Sequence, residues 1–272
     1  MRLSRERKPE ANIKRGFDTV KRKITLIQIL FLCVFIGCGI YFAKYYIDKH
    51  KTEKEMEQLR DMIQDTGEET EQIETYEPNG MLTRYYPLYE RSNDMSGWIK
   101  IDGTYIDYPV MYRAESNAYY LHRNFDGEDN SAGMPFLDYQ CDPRGSSQNM
   151  IIYAHNMRNG TMFHELLNYR DHDFAASYPY INFDTLYERR QYQIFAVFNT
   201  RVGAPDEFKY YEFINAENNE EFNAFVDECI AHSLYSTDMR PEYGDELITL
   251  STCSYNANDE RFVVVGKLIA RM

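Results

Sequence analysis

The sequence predicts a mainly β domain that follows one membrane-spanning helix, and three observations point to this architecture. The chain of 272 residues has 24 Tyr and 16 Phe but a single Trp, a composition that suits strands better than a helical bundle. Several short stretches alternate apolar and polar side chains with a period of two. One uncharged segment near the N-terminus has the length that a bilayer crossing requires.

The uncharged segment runs from Ile24 to Ala43 and predicts a transmembrane helix. A helix rises about 1.5 Å per residue, so this segment matches the roughly 30 Å hydrocarbon core of a bilayer. The flank continues as Lys44–Lys49 without a small-residue cleavage site, which favours an uncleaved signal-anchor over a signal peptide. Basic residues concentrate in 1–23, and this bias orients the N-terminus toward the cytoplasm and residues 44–272 toward the outside.

Charge is distributed unevenly along the chain. Residues 1–23 hold nine Lys or Arg against three acidic residues, a net charge of +6, so the remainder of a chain with net charge -13 carries -19. An acidic body repels phosphate backbones, which excludes nucleic acid as a partner. We attribute the acidity to solubility, with a preference for a basic substrate as the alternative.

The segment between the predicted membrane helix and the β-rich region has two parts. Residues 44–65 read as a charged helix with a thin apolar stripe, which we interpret as a stalk. Residues 66–80 are acidic and end in a Pro-Asn-Gly turn, which is typical of a linker. The sequence therefore divides into a basic cytoplasmic tail (1–23), a transmembrane signal-anchor helix (24–43), a helical stalk and acidic linker (44–80) and an extracellular domain (81–272).

Strand signals begin in the extracellular domain. Residues Gly97–Val110 alternate apolar and polar side chains on both sides of an Asp-Gly turn, which predicts a hairpin. Further apolar runs predict strands at Met150–Ala154, Tyr192–Phe198, Leu247–Ser251 and Phe262–Ile269. One helix interrupts them, because apolar residues recur at helical spacing from Phe222 to Leu234. Many short strands with few helices predict a barrel or a sandwich.

The five cysteines fall into two groups by the predicted topology. Cys33 and Cys38 lie in the membrane segment and are expected to pack as small apolar residues, whereas Cys141, Cys229 and Cys253 lie outside. An odd number of exterior cysteines leaves at least one thiol free or paired between chains. Cys229 lies on the apolar face of the predicted helix and is expected to be buried and inert; whether it pairs with Cys141 is left open.

Cys253 and Arg261 form the strongest local pattern. Cys253 ends one apolar run and Arg261 begins the next, with a short polar loop between them, so antiparallel neighbouring strands would bring both to one end of a sheet. A nearby cation lowers the pKa of a thiol and stabilises negative charge on a carbonyl oxygen under attack. The pattern by itself fits equally well a hairpin with an incidental cysteine.

His155 is the candidate proton-transfer residue. It follows the apolar run Ile151–Ala154 and precedes a polar loop, and a cysteine nucleophile needs an imidazole to protonate the departing amine. We expect the other histidines to be surface or core residues: His50, His122, His164, His172 and His232. The sequence has no H-E-x-x-H or C-x-x-C spacing, so neither a metal nor another cofactor is predicted.

These motifs together resemble the sortase family, class B. The resemblance rests on T-L-S-T-C followed by R-F-V-V-V-G-K-L, on Y-A-H-N-M upstream, and on G-W-I-K-I-D-G-T-Y-I-D-Y-P-V, S-N-A-Y-Y-L and S-A-G-M-P-F-L-D-Y. It covers the chain from about Met95 to the C-terminus. The order His, Cys, Arg fits this family, whereas papain-like proteases place Cys before His. Ala154 is a departure, because the family usually has Gly before the His.

The resemblance implies a closed, mostly antiparallel eight-stranded barrel with added helices, and a two-step acyl transfer. Cys253 would attack the Thr carbonyl of a C-terminal sorting motif, His155 would protonate the departing amine, and Arg261 would support the oxyanion. A cell-wall amine would then resolve the thioester. The implied partners are secreted proteins with a sorting motif, peptidoglycan or its precursor, and the membrane of a Gram-positive cell.

The resemblance also implies substrate contacts at Asn117, Leu121 and Ser251. A loop Asn and a strand Leu have structural explanations as well, and these remain open. The helix between His155 and Cys253 resembles the class B insertion near the substrate groove.

Two other functions remain as alternatives. A surface cysteine peptidase would share the thioester step and use water to resolve it, and a non-enzymatic receptor would use the barrel to bind a ligand or wall polymer. The sequence fixes neither the sorting motif nor the acceptor amine, and it does not separate wall anchoring from pilus assembly.

Overall fold

The computed structural model forms two compact units, Met1–Lys51 and Thr52–Met272. It describes residues 9–64, 74–205, 207–253 and 259–272.

The first unit consists of the N-terminal part of helix α1 (Pro9–Gln64). The predicted membrane segment, residues 24–43, lies inside this helix. Its side chains from Ile27 to Ala43 are exposed among the residues that the structure describes. By length and composition, the helix from Ile27 onward is a candidate membrane span.

The second unit contains a closed β-barrel, as the sequence predicted. Its strand order is β1-β2-β3-β4-β7-β8-β6-β5. The strands are β1 (Met95–Lys100), β2 (Asp107–Tyr112), β3 (Phe136–Leu137), β4 (Asn149–Tyr153), β5 (Tyr180–Thr185), β6 (Arg190–Arg201), β7 (Leu247–Cys253) and β8 (Glu260–Arg271).

The predicted hairpin is present as β1 and β2, which pair antiparallel. Gly103 in the predicted Asp-Gly turn has a φ of 75°, a conformation that glycine adopts without a Cβ clash. Two pairs in the barrel, β2 with β3 and β4 with β7, are parallel, and the others are antiparallel. The barrel is therefore mostly antiparallel, and the β4–β7 pair is important for the site.

The sequence did not indicate β3 and β5 as strands. β3 has only two residues, Phe136 and Leu137, too few to show any periodicity. β5 contains Asn182 and Asp184, which have low strand propensity, and it is held by pairing with β1 and β6. Both segments become strands because they pair with neighbouring strands, and a local sequence pattern does not reveal such pairing.

Three further helices are α2 (Tyr86–Arg91), α3 (His172–Ser177) and α4 (Asn219–His232). α4 is the helix that the apolar spacing predicted, and the Asn218 side chain caps its start by accepting a hydrogen bond from the Glu221 amide at 3.0 Å. Its apolar face is buried together with side chains of β6 and β8, among them Phe198 and Val263, in a cluster separate from the barrel interior. α4 thus covers the outer side of β6 beside the site.

The C-terminal turns of α1 belong to the second unit. Met56, Leu59 and Ile63, the apolar stripe of the predicted stalk, are 2%, 0% and 7% exposed and pack in the same core as the barrel interior. The compact unit therefore begins at Thr52, inside the segment expected to be a stalk.

The packing of α1 predicts a stability effect from Leu59→Ala. Loss of this fully buried side chain should lower the free energy of unfolding of the 52–272 unit by about 2–5 kcal/mol. Glu57→Ala, an exposed position on the same helix, should change it by less than about 0.5 kcal/mol. Urea unfolding followed by fluorescence of the single Trp measures both. Equal stability of the two variants would mean that α1 is a free stalk in solution.

Candidate active site

Strand pairing brings the ends of three strands to one edge of the barrel. β4 and β7 run parallel with Tyr153 opposite Ser251, so His155, just after β4, and Cys253, the last residue of β7, leave the sheet at the same edge. β7 and β8 are antiparallel neighbours, as predicted, and Cys253 is directly opposite Arg261. Residues far apart in the sequence therefore meet at one place.

A groove of about 250 Å³ opens at this edge. It is lined by five of the residues that the sequence analysis selected: Asn117, Leu121, His155, Ser251 and Arg261. Phe136, Tyr153, Ala154 and Thr252 complete a mostly apolar lining. The side chain of Cys253 lies outside the described residues, but its backbone adjoins Thr252 and pairs with Arg261.

His155 is half-buried and is held by a backbone carbonyl. Its Nε2 lies 2.8 Å from the Leu121 carbonyl oxygen. A carbonyl oxygen only accepts, so Nε2 carries the hydrogen, and Nδ1 is the nitrogen that can exchange a proton with a substrate. Burial lowers the pKa of His155 below its ordinary value, while the bond to Leu121 opposes this shift and the nearby His122 adds to it.

His122 is a neighbour that the sequence analysis did not assign to the site. It ends a short 3-10 turn, Tyr119–His122, and its ring stacks on the ring of His155 with centroids 5.5 Å apart and planes at 25°. The two histidines are separated by 33 positions in the chain, so only the fold brings them together. No local sequence signal could have found this contact.

Arg261 is the second residue of β8, and its half-buried side chain lines the groove. One of its Nη1 hydrogens bonds to the carbonyl oxygen of Glu260 at 3.3 Å. Arginine has five N–H donors, and this is the one bond of the Arg261 guanidinium to a residue that the structure describes. Its register opposite Cys253 puts a permanent positive charge beside the nucleophile candidate.

Asn117 is fixed by internal contacts. Its Nδ2 donates to Asp138 Oδ2 at 2.8 Å, and its Oδ1 accepts from the Tyr139 amide at 2.9 Å. The hydroxyl of Tyr153 also donates to Asp138 Oδ2, at 3.0 Å. This network holds the loop that forms one wall of the groove against β4.

Ser251 is buried, with 1% of its surface exposed. Its hydroxyl lies 2.6 Å from the hydroxyl of Tyr210, a buried residue of the connection between β6 and β7. The bond joins β7 to the segment that leads into α4. Ser251 therefore lines the groove, while its hydroxyl is hydrogen-bonded to Tyr210.

Ala154 fits its position without strain. It is buried and does not have a positive φ, so its backbone conformation does not require glycine. The Thr252 hydroxyl donates to the Ala154 carbonyl at 2.8 Å, which ties β7 to the chain just before His155. The extra methyl group, which departs from the resemblance, lines the groove.

The other two cysteines of the second unit are free and buried. Cys141 and Cys229 are 2% and 0% exposed and form no disulfide, which answers the pairing that the sequence left open. Burial raises the pKa of the Cys141 thiol to about 12 and raises that of Cys229 well above its ordinary value. Because the thiolate is the reactive form, both are poor nucleophiles, and the expected inertness of Cys229 agrees with its burial.

Comparison with known proteins identifies relatives of this architecture. A family model described as a sortase domain matches residues 99–269. Sortase B of Staphylococcus aureus is 29% identical over 252 residues, which cover 92% of this chain and 98% of that protein. Sortase B of Listeria monocytogenes is 34% identical over 186 residues, which cover 68% of this chain and 73% of that protein.

A solved structure agrees with the sequence matches. The structure of a Staphylococcus aureus sortase B–substrate complex has a TM-score of 0.72 at 27% identity, and the match covers 82% of this chain and 98% of that one.

The environment of His155 predicts its titration behaviour. Because burial lowers its pKa, the NMR signal of its ring should titrate with a midpoint below the ordinary 6.5. The neutral form is then favoured in the folded state, so His155 contributes stability above pH 6.5 that is lost as the pH falls below it. The His155→Gln variant assigns the signal. A midpoint at or above 6.5 would contradict this description.

Proposed function

Because this chain belongs to the sortase family, class B, and is a cysteine transpeptidase, we propose that it attaches secreted proteins to the cell wall. In this proposal it cleaves a C-terminal sorting motif after Thr, holds the protein as a Cys253 thioester, and transfers it to a cell-wall amine. The observation that supports the proposal is the strand register that brings the end of β4, the end of β7 and the start of β8 to the edge where His155 and Arg261 line the groove.

The first step forms the thioester. The Cys253 thiolate attacks the Thr carbonyl carbon, a C–S bond forms, and the C–N bond to the following residue breaks. Nδ1 of His155 takes the proton of the Cys253 thiol as the thiolate forms and then gives it to the departing amine, since Nε2 is bonded to the Leu121 carbonyl. The parallel pairing of β4 and β7 supports this role, because it directs His155 and Cys253 to the same edge.

Arg261 stabilises the charge that develops during the attack. The carbonyl oxygen becomes an oxyanion in the tetrahedral intermediate, and the guanidinium of Arg261 can donate hydrogen bonds to it in the groove. The same cation favours the thiolate form of Cys253. The direct cross-strand pairing of these two residues supports both effects.

The second step releases the thioester. An amine of peptidoglycan or of its precursor attacks the thioester carbon, the C–S bond breaks and a new amide bond forms. The amine must lose a proton, which the neutral Nδ1 of His155 accepts and passes to the departing Cys253 sulfur, so both residues return to their starting states. Water in place of the amine would give hydrolysis, the competing function.

We propose that the groove binds the sorting motif. The mostly apolar lining suits an extended peptide, with Leu121 as an apolar contact. Asn117 and Ser251 would shape the groove through their bonds to Asp138 and Tyr210. The related Staphylococcus aureus structure is described as a complex with substrate, which supports a peptide-binding role for this architecture.

We also propose that α1 anchors the enzyme with a single pass, the N-terminus in the cytoplasm and the domain from residue 81 outside. The apolar stretch at 24–43 and the basic residues at 1–23 support this topology. Substrates cross the same membrane during secretion, so the anchor raises the effective concentration of enzyme and substrate.

The function is tested by incubating the enzyme with a sorting-motif peptide library, with and without a peptidoglycan-type amine. We expect cleavage after Thr and, with amine present, a peptide–amine product in excess of the hydrolysed peptide. Cys253→Ala should abolish cleavage and thiol labelling of the active site. His155→Ala should lower kcat/KM about 10²- to 10⁴-fold without unfolding the protein.

Two controls make the result specific. Cys229→Ala removes a buried thiol away from the groove, and His172→Phe changes an exposed histidine on α3. Both variants should catalyse the transfer reaction as the unchanged enzyme does. Undiminished cleavage by Cys253→Ala would end the enzymatic assignment. Exclusively hydrolysed product at saturating amine would favour the surface peptidase instead.

A further inference from the structure

The strongest unassigned feature of the site is the pair of stacked imidazoles. His122 is exposed to solvent, and its ring stacks on one face of the half-buried His155 ring. Its ring centroid lies 5.5 Å from that of His155, and the planes are nearly parallel, at 25°. A parallel stack at this distance is a packing contact and not a hydrogen bond, so it restrains the ring plane without passing a proton.

The turn that carries His122 contacts His155 twice. Leu121 provides the carbonyl oxygen that accepts from Nε2 of His155, and the next residue provides the stacked ring. The carbonyl sets the direction of Nε2 and the ring sets the tilt of the imidazole plane. Together they fix the direction in which Nδ1 of His155 points.

The turn itself is well anchored. The Tyr120 carbonyl accepts from the Met134 amide at 3.0 Å, and the His122 carbonyl accepts from the Asn130 amide at 2.9 Å. The Tyr120 hydroxyl donates to Asp94 Oδ2 at 2.7 Å. A turn fixed at both ends can hold a catalytic side chain in place, whereas a loose loop cannot.

The ionisable groups described around His155 lie on β8, β4 and the 3-10 turn, in addition to the proposed nucleophile Cys253. Arg261 of β8 and Tyr153 of β4 line the same groove, and His122 stacks from the 3-10 turn. Arg261 is always cationic and Tyr153, whose pKa burial raises, stays neutral. His122 contributes by Coulombic repulsion to the lowered pKa of His155.

We propose that His122 is a positioning residue for the transpeptidation, which orients the His155 ring by stacking. This inference rests on the proposed role of His155 as the proton-transfer residue. The Coulombic effect by which His122 lowers the pKa of His155 is a second consequence of the same stack. The aromatic face of His122 therefore acts on the orientation of the His155 ring, and its charge acts on the pKa of His155.

Two substitutions separate them. His122→Phe keeps an aromatic face over His155 and removes the charge, so the His155 titration midpoint should move to higher pH while kcat/KM, measured on the plateau of its pH profile, stays within about threefold. His122→Ala removes the face as well. It should also raise the midpoint, and it should lower kcat about 10- to 100-fold with little change in KM, because the proton donor is no longer aligned.

The experiment follows the His155 ring signal by NMR in the full chain in detergent, with Cys253→Ala as background so that thiol ionisation does not contribute. Activity is measured in the chain with Cys253 intact. His172→Phe, at an exposed histidine of α3, is the matched control and should leave the midpoint and the rate unchanged.

An unchanged His155 midpoint in His122→Phe would overturn the electrostatic part, and an unchanged kcat in His122→Ala would overturn the positioning part. These results are distinguishable from failure of the proposed function. If His155→Ala itself retained normal activity, the role of His155 would fail whatever the titration of the pair showed.

Discussion

The parallel pairing of β4 with β7 is the constraint on which the site depends. Because the pairing fixes Tyr153 opposite Ser251, the residues that follow each strand emerge at the same edge of the barrel. The Thr252 hydroxyl bonds to the Ala154 carbonyl at 2.8 Å and locks that register one residue before His155 and Cys253. A slip of one residue would turn every side chain of the slipped strand to the opposite face and separate the His155 imidazole from Cys253, the proposed nucleophile.

Packing on both sides of the sheet supports this edge. α4 covers the outer side of β6, the Tyr210–Ser251 bond holds the outer side of β7, and the barrel core fills the inner side. The network of Asn117, Asp138 and Tyr153 holds the opposite wall. The proposed catalytic residues therefore stand on strands and anchored turns, and the half-burial that lowers the pKa of His155 is a consequence of that architecture.

Much of the fold was predictable because its strongest signals are local. The Asp-Gly hairpin, the amphipathic α4 and the apolar runs of β7 and β8 each follow from side-chain periodicity. The Cys253–Arg261 juxtaposition followed from two adjacent strands. The 3-10 turn beside His155 did not, because His122 reaches His155 only through the closure of the barrel. The burial of Leu59 was also hidden, since a thin apolar stripe looks the same on a free stalk as on a packed helix.

The measurement that tests the central claim most directly is a crystal structure with a sorting peptide joined to Cys253 by a disulfide that replaces the thioester link. We predict that the peptide lies in the groove with its Thr position next to Leu121, its carbonyl oxygen hydrogen-bonded to Arg261, and Nδ1 of His155 facing the leaving-group side. A peptide that lies outside the groove, or an Arg261 guanidinium that points away from the carbonyl, would contradict the account.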